Sequence, residues 1–413
     1  GLRLLGRLDV AALGAAFGDV VGRHEALRTV FDEVEGVPFQ RVVSVGEVSV
    51  PLVVGDVESG GLAAAVEGAA RYRFDLAVEI PVRVCVLRVS EVEHVVVLVV
   101  HHIAGDGASM APLARDLAVA YAARVRGVEP GWVPLPVQYA DYTLWQREVL
   151  GEESDPDSVM AAQFGYWREV LAGVPEVLEL PVDRPRPAVQ SFAGAVVDFV
   201  VEPGLRVAVG ELARSCGATV SMVLQSALAV LLHRVGGGVD IAIGGPVAGR
   251  TDEALSDLVG IFVNTWVLRV DVSGAPRFEE LLGQVRGKAL SAYENQDAPF
   301  ERLVELLNPG RSTAYHPLFQ VSLALQNNPL PRLEFPGLSV SPVAASTGSS
   351  RFDLFFTLTE QPATVAGPGA ITGLVEYSTD LFDEVTVRGL AARFVRVLEA
   401  VCADPSVVVG DID

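Results

Sequence analysis

The chain has 413 residues, half of them apolar and a fifth charged, with a formal net charge of −21. That length exceeds one ordinary core and that apolar share excludes a disordered chain. The charge excludes nucleic acid as a partner, because no run of Lys or Arg is present to neutralise phosphates.

Gly1 opens directly on the strand-like LRLLGRL with no lead-in, which reads as a piece excised from a longer polypeptide. Residues 9–23 return apolar side chains every three or four positions and predict an amphipathic helix. Strand-like LRTVFDE and FQRVVS follow, then a helix at 61–71, then PVRVCVLRVS and EHVVVLVV. The last two run nearly continuously apolar, as strands covered on both faces do. Val95–Val100 is the most hydrophobic run and only strand-length, so neither a signal peptide nor a membrane span is expected. A helix is predicted from Ser109 to Arg126, with Ser109 as its cap.

A Pro-rich connection leads to helices carrying YADYTLWQREVL and FGYWREVLAG, and ELPVDRPRPAVQ then breaks regular structure. The lobe boundary is expected there, giving residues 1–175 and 176–413. The second half repeats the texture of the first, with strands GAVVDFVV, DIAIGGPV, FVNTWVLRVDV, LFQVSLALQN, FDLFFTLTE and GAITGLVEYS interleaved with helices. Two α/β lobes of similar size result, with a cleft between them as the default site. The aromatic cluster Trp132, Tyr139, Tyr142, Trp145, Tyr166 and Trp167 is expected to be core packing. GGPVAGR at 244–250 lacks the ending of a phosphate loop and reads as a floor loop. The three cysteines, Cys85, Cys216 and Cys402, sit in no metal or redox spacing, which points to a reducing cytoplasm.

HVVVLVVHHIAGDGAS is where chemistry is expected. A hydrophobic strand ends at His101 and His102, a tight loop follows, and Asp106-Gly107 leads into a helix. Adjacent side chains on extended backbone point to opposite faces, so only one of the two histidines faces a given cleft. A neutral imidazole can take a proton from an amine, hydroxyl or thiol at cytoplasmic pH. A carboxylate buried by the turn needs a cationic partner or several donors, so Asp106 is expected to fix the loop that orients the imidazole. His-His-x3-Asp offers too few ligands for a metal.

The HHxxxDG pattern is shared by chloramphenicol acetyltransferase-like acyltransferases, and further blocks resemble one branch of them. RHEALRTVF at 23–31, YADYTLWQ at 139–146, GIFVNTWVLR at 260–269, NQDAPFERLVELLNP at 295–309, HPLFQVSLALQN at 316–327 and RFDLFFTLTE at 351–360 come in the order found in condensation domains of nonribosomal peptide synthetases. This resemblance implies two acetyltransferase-like lobes forming a V-shaped pseudo-dimer with a tunnel between them. Upstream (donor) and downstream (acceptor) peptidyl carrier protein domains would present 4'-phosphopantetheine arms, with an adenylation domain in the same polypeptide. No intrinsic cofactor or metal is implied. The acceptor amine would attack the donor thioester, and His102 would act as general base or position the amine.

By the same resemblance, His101, His102, Asp106 and Gly107 are the catalytic candidates. Asp106 would pair with Arg269, although Arg28 could equally hold it, and Gly107 would let backbone approach the reacting centre. Arg23 and Arg28 are structural supports; Asn264, Ser109 and Ser349 are weaker candidates for the tunnel wall. The family's opening block is missing, and Ala108 stands where Trp is common. IAGDGAS and PVQYADYTLWQRE resemble the subtype taking a D-residue donor and an L-acceptor in actinobacteria. The alternatives are an epimerisation domain, free-standing transfer to a small alcohol or polyamine, and a catalytically silent recruitment platform of the same fold. Recruitment domains of that fold degrade the histidine motif, which is intact here.

Overall fold

The computed structural model describes residues 1–307, 310, 312–326, 334–363 and 367–412. Asn308, Pro309 and Asn327 of the blocks quoted above lie outside the described residues. The chain forms two compact units. The first comprises Gly1–Val149, Ala248–Val263 and a stretch ending at Thr347. The second comprises Leu150–Val247, the segment opening at Asn264, and the segment opening at Gly348.

The first unit is built on a five-stranded sheet in the order Ser339–Pro342, Leu2–Leu5, Glu93–Val100, Val82–Ser90, Leu52–Asp56. All neighbours are antiparallel except the last pair, which is parallel. Both faces of the two central strands are covered. Val82, Val84, Val86 and Val96 point into the core formed with helices Val10–Arg23 and Met110–Val125. Leu87, Val95 and Val97 point to the other face and pack with Val66 of helix Leu62–Ala70. That double burial is why these strands read as unbroken apolar runs. Asp9 starts the first helix, its carboxylate accepting from the Ala12 amide at 2.9 Å. A separate hairpin pairs Thr29–Val34 with Val37–Val42.

In the second unit a six-stranded sheet runs Gly194–Val201, Ile371–Ser378, Leu354–Glu360, Val321–Gln326, Asp240–Val247, Asn264–Asp271. Val321–Gln326 is parallel to both neighbours and the remaining pairs are antiparallel. Helix Val220–Arg234 buries every residue from Met222 to Leu232, which explains its apolar circumference. Among the described residues no single helix is long and apolar enough to cross a membrane.

The expected boundary at 175 is corrected. The first unit closes at Val149, and helix Val159–Val170 belongs to the second, where Phe164, Trp167 and Leu171 are buried and the Trp167 indole donates to Asn295 O at 2.7 Å. The Pro-rich stretch near 184 is fastened within the second unit, where Arg186 clasps the buried Asp353 carboxylate with both terminal nitrogens. The strands Leu52–Asp56 and Ser339–Pro342 were not expected; both are short edge strands of the first sheet. The aromatic expectation holds for Tyr142 and Trp167, which are buried, but Trp145 is 46% exposed.

Candidate active site

Strand Glu93–Val100 delivers the chain to His101, the cap of a short 3-10 turn over His102–Ala104. The two imidazoles part there, though by the turn and not by continued pleating. His101 is half-buried, its Nδ1 accepts from the Ile103 amide at 3.1 Å, and its ring meets Phe74 edge-on at 6.0 Å. Burial first, and the neighbouring His102 second, push its pKa below the ordinary histidine value. His102 is exposed. Of the pair, it is the one open to solvent.

Asp106 is 5% exposed and surrounded by donors. Its Oδ1 accepts from the Ser109 amide at 2.9 Å, the Ser109 hydroxyl at 2.8 Å and Arg250 Nη2 at 3.2 Å, while Oδ2 accepts from the Phe262 amide at 2.9 Å. Burial pushes this carboxyl up, but the Phe262 amide, the Arg250 guanidinium and Ser109 together outweigh it and hold it below the usual carboxylate range. A carboxylate so held is ionised at neutral pH and has no spare basicity. Its work is to fix the loop.

Arg250 completes the clamp. Its Nη1 donates to Leu255 O at 2.5 Å and to Leu258 O at 2.9 Å, and its guanidinium lies 4.1 Å from the Phe262 ring centroid. Nη2 also meets the Ser109 oxygen at 2.9 Å. The planar fork explains the residue type, since an ammonium could not reach two carbonyls, a carboxylate and a ring face together. Gly249 sets the approach: it adopts φ +66, and a Cβ there would stand 2.0 Å from Phe262 O.

The returning segment is pinned from its other side by Tyr139, whose hydroxyl donates to Ile261 O at 2.6 Å. Gly260 lies flat against that ring; a Cβ would come within 2.3 Å of Tyr139 Cδ2. Tyr139 is itself wedged between Tyr142 and Phe262, at 5.7 and 5.2 Å between ring centroids. Gly260→Ala is therefore expected to destabilise by about 1–3 kcal/mol through overpacking, read as a lower urea midpoint.

The family model described as "Condensation domain" matches residues 1–413. The chain belongs to the condensation domain family. It is 55% identical over 412 residues to the probable non-canonical nonribosomal peptide synthetase CymA of Salinispora arenicola, covering all of this chain and 5% of that protein. It is 49% identical to the dimodular nonribosomal peptide synthase of Bacillus subtilis, covering 17% of it. This condensation domain thus spans a small part of the curated relatives it matches. The X-domain from teicoplanin biosynthesis is similar in structure, with a TM-score of 0.93, 37% identity, and coverage of 100% of this chain and 91% of that one.

Several site expectations for the condensation domain need correction. Arg269 does not hold Asp106: it donates through Nε and Nη2 to Asp240 and through Nη1 to the carbonyls of Val170 and Ala172. Arg28 does not hold it either, being spent on Val43 O at 2.6 Å and Glu25 at 3.3 Å. Arg23 donates to Asp116 at 2.8 Å and Val133 O at 2.7 Å and lies over Trp132, with His24 on the same carboxylate. Ser109 sits at the cap position but makes no cap bond with its side chain. Its hydroxyl is wholly buried between Asp106, Arg250 and Gly260, out of reach of a substrate.

Asn264 is also consumed internally. Its amide nitrogen donates to Gln296 O at 2.8 Å and Ala298 O at 2.7 Å, and its oxygen accepts from the Phe300 amide at 3.2 Å. It latches the NQDAPFE loop to strand Asn264–Asp271. Asn264→Ala is expected to cost about 1–3 kcal/mol by stranding those carbonyls, with hydrogen exchange rising in residues 295–300. Ser349 is exposed and bridges to Ala193. Gly107 is exposed, and a Cβ there would meet no atom within 4 Å. Among the described residues no group of three or more His, Cys, Asp and Glu could hold a metal.

Sequence reasoning missed Arg250. The signal was available: a buried Asp106 demands a cation, and GGPVAGR ends in one straight after a strand.

Proposed function

We propose that this condensation domain forms amide bonds between carrier-bound substrates. The acceptor's amine nitrogen attacks the donor's thioester carbon; the C–N bond forms, the C–S bond breaks, and the phosphopantetheine thiolate leaves with the acyl chain transferred. His102 takes the ammonium proton from the tetrahedral adduct or orients the amine by a hydrogen bond. Asp106, Arg250 and Ser109 hold the turn that presents it, and Gly107 leaves room beside it. The observation that carries this reading is the exposed His102 on a turn whose next acid is fully clamped.

The partners are an upstream donor and a downstream acceptor peptidyl carrier, with an adenylation domain in the same cytoplasmic polypeptide. The donor is taken to end in a D-residue and the acceptor to be an L-aminoacyl group. Presenting the chain with D- and L-terminated donors on carriers tests this. Faster amide formation from the D-donor supports the subtype, and faster formation from the L-donor overturns it. A recruitment platform is the second reading, favoured by the likeness to the teicoplanin X-domain in its complex with OxyB; it predicts carrier binding without turnover from either donor.

A further inference from the structure

Beside the clamp, on the same unit and sharing Leu255 with it, lies a cavity of about 240 Å³ with a composition unlike that of a core defect. Its walls are apolar and aromatic, from Val137, Tyr142, Trp145 and Leu255, and two exposed carboxylates, Asp141 and Asp252, stand at it. Among the described residues no Arg or Lys lines it. Asp141 Oδ2 accepts from the Gln138 amide at 2.8 Å, and Asp252 Oδ1 accepts from the Ala254 amide at 2.8 Å. Among the described residues the other oxygen of each carboxylate accepts nothing, so each keeps lone pairs for an incoming donor. Trp145 is 46% exposed, and its ring lies 6.2 Å from that of the buried Tyr142.

We infer that this cavity binds a guanidinium or alkylammonium cation on an apolar stem. Carboxylates fixed by backbone amides hold the charged head, and the aromatic faces attract the cation and cover the stem. The volume accommodates one such side chain or a free amine of that size. Generic attraction by the acidic surface is a separate matter, because it would not depend on two of the chain's 52 acidic residues.

The site is read independently of the transfer chemistry, so the failure of one leaves the other standing. The test is calorimetric titration of the 413-residue chain with three probes: agmatine, N-acetylarginine amide, and N-acetylcitrulline amide. Citrulline keeps the shape and removes the charge. Saturable binding of an arginine-type probe, with the citrulline probe weaker by about tenfold or more, is the expected result. Agmatine alone binding would assign a free small cation; binding of the acetylarginine amide would assign a polypeptide side chain. The double variant Asp141→Asn, Asp252→Asn keeps both capping amide bonds through its side-chain oxygens. It should retain its melting temperature and lose about tenfold in affinity. Equal binding of citrulline, undiminished binding by the double variant, or no saturable binding of any probe overturns the inference.

Discussion

His102→Ala is expected to slow donor-to-acceptor transfer by about 10² to 10⁴ and to leave the fold intact. The two halves of that expectation have separate physical grounds. His102 is exposed, so its removal opens no cavity and strands no partner. Its imidazole is the basic group on this turn left open to solvent, since Asp106 is saturated with donors and His101 Nδ1 is engaged by Ile103. His101→Ala should behave differently. It removes the acceptor that caps the turn, at about 1 kcal/mol, and lowers transfer through misplacement of His102. Single-turnover rates beside thermal melts separate the two variants: a melt lowered equally in both would count against the assignment.

Arg250→Ala is the largest stability effect expected, about 3–5 kcal/mol, because it leaves the buried Asp106 carboxylate without its cation. It also strands the carbonyls of Leu255 and Leu258. The pH dependence carries a further signature. Asp106 is held below its unfolded value, so its contribution is fully present above about pH 4 and is lost as the pH falls through the lower folded value. Without Arg250 the opposing influence of burial gains, the folded pKa rises, and the acid limb of the stability curve moves to higher pH. Urea unfolding across pH 3 to 7 reads both effects. An unchanged acid limb in the variant would show that Arg250 does not support the carboxylate.

The strand-turn-helix around His102 was legible because its signals are local: a run of apolar residues covered on two faces, two polar rings, then a helix start. The need for a cation at Asp106 was legible too, as a demand of burial. Its source was not, because Arg250 lies 144 positions away and reaches Asp106 on a segment that leaves the second unit's strands and returns to the first. The same return spoils a boundary read from proline content. Pro185 and Pro187 interrupt regular structure, yet Arg186 between them is locked to Asp353. Ser109 looked like a cap on residue type alone. Its hydroxyl instead bonds across the chain, and the Asp106 carboxylate takes up the Ser109 amide. Asn264 and Ser109 both drew attention as polar residues near motifs, and both prove to be internal fastenings. Composition cannot separate a polar group aimed at substrate from one aimed at backbone.

In the proposed reaction the exposed His102, held by the Asp106–Arg250 clamp, serves amide formation between carrier-bound substrates. Intact-protein mass spectrometry of the two carriers tests it most directly. Donor peptidyl carrier and acceptor aminoacyl carrier are mixed with the wild-type chain and with His102→Ala, both shown to be folded. The account predicts that the donor's acyl mass moves onto the acceptor with wild type and stays in place with the variant. No transfer from D- or L-terminated donors by wild-type protein that still binds carriers would contradict it and favour the recruitment reading.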